Sequence, residues 1–288
     1  MSKELGVVVA VDGSPSSDAA TQWAAHDAEL RGVPLTIVHA TPPVVGTWPT
    51  MAALPDVSSW QQDAGQRILE EAVAVATEAI NIELRISTEM PPTATVPALV
   101  ELTREAELVV VGNRGRGRLA RALLGSVSMG LVHHSRCPVA VIRHEPSTAT
   151  ALKSGPILLG FDGSPASETA TALAFEEALR RRAELVVLHA WWGSGAFEFP
   201  VEWDDLRIEV EESLARQMAV WQGRYPDVPM RTTVVRDQPA LRLVDYPATP
   251  QMIVVGSHGH GGITSTLLGS VSTAVVQAAR VPVVVARS

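Results

Sequence analysis

Residues 5–16 read LGVVVAVDGSPS and residues 155–166 read GPILLGFDGSPA. Each is a short, near-continuous apolar run closed by Asp-Gly-Ser-Pro. An apolar run without alternation marks a strand buried on both faces, which belongs to a parallel sheet covered by helices. Leu5–Val11 is therefore read as a strand, and Ser17–Arg31 as a helix whose apolar stripe runs through Ala20, Trp23, Ala24 and Ala28. Leu35–Ala40 follows as a second strand.

The repetition extends outward from these segments. Residues 7–40 laid on 157–190 agree at 13 of 34 positions, and residues 107–142 laid on 251–286 agree at 16 of 36. The chain therefore contains one domain twice. The expected domains are 1–144 and 156–288, joined by a linker over 145–155 that is rich in Ser, Thr, Ala and Pro. Within the first copy the pattern continues as a helix over 58–80, a strand over 82–87 and a helix over 96–106. A strand over 108–112, a helix over 126–134 and a strand over 138–142 complete it. Strands alternating with helices predict an α/β protein of two tandem Rossmann-like domains, each a five-stranded parallel sheet with helices on both faces.

The composition bounds the function. With 46% hydrophobic and 19% charged residues over 288 positions, the chain has material for two cores and is not a disordered or fibrous sequence. A net charge of −8 without a basic arm argues against nucleic-acid binding. A single cysteine, Cys137, excludes a disulfide framework and any multi-cysteine metal site. The opening MSKELGVVVAVDG lacks the apolar core of a secretory signal, and no run of about 18 uncharged apolar residues occurs. The expectation is a soluble cytoplasmic protein that touches neither membrane nor nucleic acid.

In open α/β sheets, ligands bind beyond the carboxyl ends of the strands, where strand order reverses. Two features recur there. Asp12 and Asp162 end the first strand of each copy, where each also has a plain reading as turn residue or helix cap. After the fourth strand stands a glycine pattern: Gly112-Asn113-Arg114-Gly115, nine residues, then Gly125-Ser126. Its counterpart is Gly256-Ser257-His258-Gly259, nine residues, then Gly269-Ser270. Glycines permit positive φ and close approach of amides to an anion, and the free N–H groups of the helix that follows favour phosphate. Neither loop contains the Gly-Lys-Ser/Thr of a Walker loop.

The Asp-Gly-Ser start and the Gly-x2-Gly-x9-Gly-Ser/Thr spacing resemble the ATP-binding branch of the universal stress protein family. Two copies in one chain resemble its tandem actinobacterial members. The resemblance covers nearly the whole chain and implies a fold of the adenine nucleotide alpha hydrolase type. It also implies one ATP per domain, with Mg2+, and two domains paired within the chain through their last strands, with a homodimer as a further assembly. In the first copy it implies that Asp12 and Ala40 hold the adenine and ribose. Gly112, Asn113, Arg114, Gly115, Arg116, Gly117 and Arg118 then surround ribose and phosphates, with Gly125, Ser126 and Val127 closing the phosphate end. In the second copy Gly160, Asp162 and Ala190 play the first part. Gly256, Ser257, His258, Gly259, His260, Gly261 and Gly262 play the second, and Gly269, Ser270, Val271 and Ser272 the third.

Two departures stand out. Ala10 replaces the glycine found at Gly160, so its methyl is expected to crowd the first site. His258 and His260 stand where the first copy has Arg114 and Arg116, leaving the second phosphate end less positive near neutral pH. No catalytic base, metal cluster or nucleophile–base pair is visible by motif, so a binding protein and regulator of stress response is expected. The alternative is a slow nucleotide hydrolase or nucleotidyl transferase on the same fold.

The remaining features have structural readings. Cys137 is expected to be a small buried hydrophobe, His133 and His134 to suit a helix C-terminus, and Arg180–Arg182 to form a solvated cap. The Pro- and Trp-rich loops over 41–57 and 191–203 are read either as sheet-edge cover or as a lid or docking surface.

Overall fold

Val7, Val8 and Val9 are wholly buried in the structure, a computed structural model that describes residues 5–42, 57–115, 124–144, 154–190, 203–259 and 268–287. The chain divides into two units, Met1–His144 and Glu145–Ser288. Unit one runs β1 (Gly6–Ala10), α1 (Pro15–Arg31), β2 (Leu35–Val38), α2 (Val57–Ala79), β3 (Ile86–Glu89), α3 (Thr95–Leu102), β4 (Ala106–Gly112), α4 (Ser126–His134) and β5 (Val139–Ile142). Its strands lie in the order β3-β2-β1-β4-β5, and all pairings are parallel. From β1 the chain steps toward one edge through α1 and α2, then returns across the sheet and steps toward the other through α3 and α4. Right-handed crossovers place these two helix pairs on opposite faces, and α1 indeed packs on α2 while α3 packs on α4.

Unit two repeats the scheme: β6 (Ile157–Gly160), α5 (Pro165–Arg181), β7 (Leu185–Ala190), α6 (Trp203–Arg224), β8 (Met230–Val235), α7 (Pro239–Val244), β9 (Met252–Gly256), α8 (Ser270–Ala278) and β10 (Val283–Ala286). Its order is β8-β7-β6-β9-β10, again parallel at each pairing of β6 through β10. Among the described residues no helix is long and apolar enough to cross a membrane.

The first helix of each unit is set by local chemistry. Ser14 is the N-cap of α1, its hydroxyl accepting from the Ser17 amide, with Pro15 in the first turn; Ser164 and Pro165 do the same for α5. The helix therefore starts two residues before the Ser17 expected from periodicity. Its buried stripe consists of Ala20, Ala24, Ala25 and Ala28, whereas Trp23 is only half buried. Small side chains let α1 approach the sheet closely, so the bulky indole sits at the margin. The stripe also carries Asp27, paired with the largely buried Arg31 at 2.6 Å. The corresponding Glu177 accepts from Arg180 at 2.9 Å and Arg181 at 3.0 Å. Arg181 is only 7% exposed, so this cluster is a buried ion pair rather than the solvated cap expected from sequence.

Two other boundaries move. The third strand begins at Ile86 instead of Ile82, because its partner β2 starts at Leu35, which pairs with Ile86. Ile82 is left 56% exposed beside Asn81, whose amide donates to Glu29. Helix α3 stops at Leu102 rather than continuing to Ala106. The Thr103 hydroxyl donates to the Val100 carbonyl and accepts from the Arg136 amide, and Ala106 already pairs in the sheet with Gly6.

Candidate functional site

The neighbouring strands β1 and β4 send their chains in opposite directions, as do β6 and β9, which opens a crevice at their carboxyl ends. Asp12 sits two residues past β1. Its Oδ1 accepts from the Ser14 amide at 3.1 Å, an Asx turn made possible by Gly13 at φ 71°. Asp162 repeats this with Ser164 at 2.9 Å and Gly163 at φ 80°, and also accepts from the Ser167 hydroxyl. The turn role is therefore real, but it uses only one carboxylate oxygen. The other, Oδ2, lies where a Cβ on Gly115 or Gly259 would point. The aspartate and the glycine loop thus form one wall, in both units.

This revises the reason for the loop glycines. Among the described residues the glycines at positive φ are Gly6, Gly13, Gly32 and Gly163, none of them in the Gly-x2-Gly pattern. Gly112 and Gly256 are needed for close packing: a Cβ would meet the Ser16 carbonyl at 2.7 Å or the Ala166 carbonyl at 2.9 Å, in the first turn of α1 or α5. Gly115 and Gly259 are needed because a side chain would displace the aspartate.

The helix start is tied back to the strand it follows. The Gly125 amide donates to the Asn113 carbonyl and the Gly269 amide to the Ser257 carbonyl, each at 2.8 Å. These two amides are thereby unavailable to a phosphate, contrary to the simple expectation. The Ser128 hydroxyl donates to the Gly112 carbonyl at 2.7 Å, and Ser272 does the same to Gly256 at 2.6 Å. Ser272 therefore braces the site instead of donating into it. Ser128, not singled out from sequence, was visible there as the last residue of the repeated Gly-Ser-Val-Ser. Gly125 and Gly269 are N-caps without a side-chain partner, so the first-turn amides beyond them, at Ser126 or Ser270 onward, are not capped by side chains.

In unit two these elements enclose a cavity of about 260 Å³. Predicted residues Gly160, Asp162, Ala190, Gly256, His258, Gly259, Gly269, Ser270, Val271 and Ser272 line it. Sequence reading missed its apolar side, made by Phe161, Leu188, Pro239, Leu243 and Val255, together with Ser167. These lie on α5, α7 and strand ends that only the fold brings together. A methyl on Gly160 would meet Leu243 at 2.9 Å and Val255 at 3.3 Å. Gly160 therefore leaves room for Leu243 and Val255 at the floor of this cavity.

Ser257 is 1% exposed and does not itself face the cavity; its hydroxyl meets His258 Nδ1 at 2.9 Å. His258 Nε2 is shielded from solvent and has no partner among the described residues. In unit one the matching Asn113 is also buried, held by the Ser16 hydroxyl at 3.2 Å, while Arg114 is exposed. Ala40 lies just past the end of β2 and is half buried. The repeated histidines His39 and His189 donate from Nδ1 to the Val11 and Phe161 carbonyls at 2.8 and 2.9 Å. They fasten the second strand to the residue before each aspartate. Arg116, Gly117, Arg118, His260, Gly261 and Gly262 lie outside the described residues, as do 43–56 and 191–202 of the two aromatic loops.

Cys137 is buried, and burial pushes its thiol up to about 11, so it is an inert core residue as expected.

Fold and site define a tandem protein of doubly wound α/β domains, each with a crevice at its switch point and, in unit two, a formed cavity with an apolar side and a polar rim. Residues 6–143 and 154–287 each match the universal stress protein family. The chain belongs to that family. It is 50% identical over 288 residues to the universal stress protein Rv2005c of Mycobacterium tuberculosis, covering 99% of this chain and 98% of that protein. A universal stress protein from Archaeoglobus fulgidus has the same fold, with a TM-score of 0.70 at 20% identity over 98% of this chain and 96% of its own. A shorter universal stress protein solved in complex with cAMP is 33% identical over 49% of this chain and 97% of its own, at a TM-score of 0.38.

Proposed function

We propose that each unit binds an adenine nucleotide at its switch-point crevice, ATP with Mg2+ in the general case. In this reading the chain is a cytoplasmic, nucleotide-dependent regulator of a stress response. The cavity of unit two carries the reading. An apolar side made by Phe161, Leu188, Leu243 and Val255 suits a purine base, while Ser270 and the start of α8 suit a phosphate. In unit one Asp12, Gly115 and Ser126 hold the matching places, with the exposed Arg114 as a phosphate partner.

The role is binding rather than turnover: Asp12 and Asp162 are engaged in turns, and bound nucleotide then acts by changing what the chain contacts. The test is direct. Purified protein is denatured, the released nucleotide is identified by mass spectrometry, and nucleotide-free protein is titrated by calorimetry alongside a turnover assay. The expected outcome is an adenine nucleotide, close to two sites per chain, and no sustained hydrolysis. Titration without heat for any adenine nucleotide counts against the reading, and sustained turnover counts in favour of the hydrolase alternative.

A further inference from the structure

Asp12 and Asp162 close the same turn, but the serine five residues further on serves them differently. In unit two the Ser167 hydroxyl donates to Asp162 Oδ1 and accepts from the Asp162 amide at 3.1 Å. In unit one the matching Ser17 hydroxyl donates to the Ser14 carbonyl at 2.8 Å. A hydroxyl has one hydrogen, so Ser17 cannot donate to Asp12 at the same time. Asp162 Oδ1 thus accepts from both the Ser164 amide and a serine hydroxyl, a clamp that the Ser17 hydroxyl does not give Asp12. Ser167 is itself held. It is 3% exposed, its amide donates to the Ser164 carbonyl at 2.9 Å, and its carbonyl accepts from the buried Thr171 hydroxyl at 2.6 Å.

We infer that Ser167 is a positioning residue of unit two: it fixes the Asp162 carboxylate in the cavity wall and so makes that unit select a nucleotide whose sugar keeps both hydroxyls. The inference rests on the nucleotide-binding reading above and names a specificity device of one of its two sites. Asp162, Ser167, Gly259, Gly269 and Ser270 all line the cavity, and Asp162 is half buried rather than sealed off. With Oδ1 committed to the turn, Oδ2 lies on the side of Gly259, 2.5 Å from where a Cβ on that glycine would stand. Gly259 in turn abuts the start of α8, because a Cβ on Gly269 would stand 3.7 Å from the Gly259 nitrogen. The carboxylate is therefore close to the end of the cavity that suits phosphate. A carboxylate offers acceptors only and repels phosphate, so the part of a nucleotide that meets it must carry donors. In an adenine nucleotide the donor-bearing part next to the phosphate is the sugar. An acceptor clamped in place loses no side-chain freedom on binding, so a missing hydroxyl is felt more sharply than at an acceptor able to swing.

The experiment titrates nucleotide-free full-length protein with ATP, 2′-deoxy-ATP and 3′-deoxy-ATP. One set carries Asp12→Ala, so that unit two dominates, with Ser167 intact or changed in Ser167→Ala, Ser167→Cys and Ser167→Thr. The mirror set carries Asp162→Ala, with Ser17 intact or changed in Ser17→Ala. With Ser167 intact, unit two should prefer ATP about tenfold over the weaker-binding deoxy form, the size of one hydrogen bond to a charged group. Ser167→Ala should weaken ATP about fivefold while leaving that deoxy form within about twofold, so the preference collapses. Ser167→Thr, which keeps the hydroxyl, should restore it. Ser17→Ala should leave the preference of unit one unchanged. Melting curves establish folding, and Ser167→Cys, similar in size with a weak donor, decides the matter if the Ala variant is not folded. Equal affinity of unit two for ATP and both deoxy forms overturns the inference, as does a preference that survives in the folded Ala or Cys variant. Equal weakening of ATP and the deoxy forms overturns it too, since the serine then supports the fold or a contact to the base amine. Failure of all three nucleotides to bind to the natural protein overturns the inference and the nucleotide reading together.

Discussion

At the scale of single residues, the site is an arrangement of contacts among aspartate, glycine and serine. Asp12 uses one oxygen to hold its own turn and leaves the other against Gly115, an arrangement repeated by Asp162 and Gly259. Alanine at Gly115 or Gly259 fits an ordinary backbone but drives its methyl into the carboxylate. The expected result is at least about a tenfold loss of nucleotide affinity in that unit alone. The accompanying change in stability should be about 1 kcal/mol or less, because both positions lie outside the core. Calorimetry and urea unfolding on the same samples separate the two effects. A loss of stability without a loss of affinity would make the glycines structural only.

At the scale of elements, α1 and α5 share N-caps, first-turn proline and acidic residue, and a buried ion pair, but they end differently. The residue after α1 is Gly32 at φ 68°, whereas α5 ends on Arg182 at φ 48°, the one non-glycine at positive φ among the described residues. A left-handed conformation costs a residue with a side chain about 1–2 kcal/mol. Arg182→Gly should therefore raise stability by about 1 kcal/mol, and Gly32→Ala should lower it by about the same amount. A Cβ on Gly32 meets nothing within 4 Å, so steric clash does not enter the comparison. Urea unfolding of the two variants tests both signs, and equal shifts of the same sign would refute the argument.

For the whole molecule, the repeat preserves buried charge as well as fold. Asp27 with Arg31 and Glu177 with Arg181 occupy matching places 150 residues apart, with side chains 1–7% exposed. Removing one member of such a pair leaves the other charge buried and costs about 3–5 kcal/mol. Asp27→Ala should fall near the lower figure, about 3 kcal/mol, because Glu107 stands 4.0 Å from Arg31 and offers partial compensation. Denaturant unfolding monitored by circular dichroism measures it, and a loss below about 1 kcal/mol would show that the pair is not energetically buried.

The sequence by itself determined the duplication, the parallel α/β order and the place of the crevice. These follow from apolar runs buried on both faces, helix periodicity, self-comparison and the rule that ligands sit beyond strand ends; the strand order that opens the crevice between β1 and β4 came only with the sheet. It also named Asp12, Asp162 and both glycine patterns, since identical residues at equal spacing are legible without coordinates. What it could not determine was why those residues are required. That Gly112 makes room for the Ser16 carbonyl, that Gly115 faces Asp12 and that Gly125 donates to Asn113 are contacts across about 10 to 100 positions of chain. The apolar side of the unit-two cavity was missed for the same reason, because Phe161, Leu188, Leu243 and Val255 meet only when three strands and α7 converge. Charge showed the same divide. Arg181 looked like a solvated residue at a helix end, yet in the fold it closes over a glutamate on the helix face that packs against the sheet. Periodicity reports which side of a helix is apolar; only packing decides which polar group is carried inside with it.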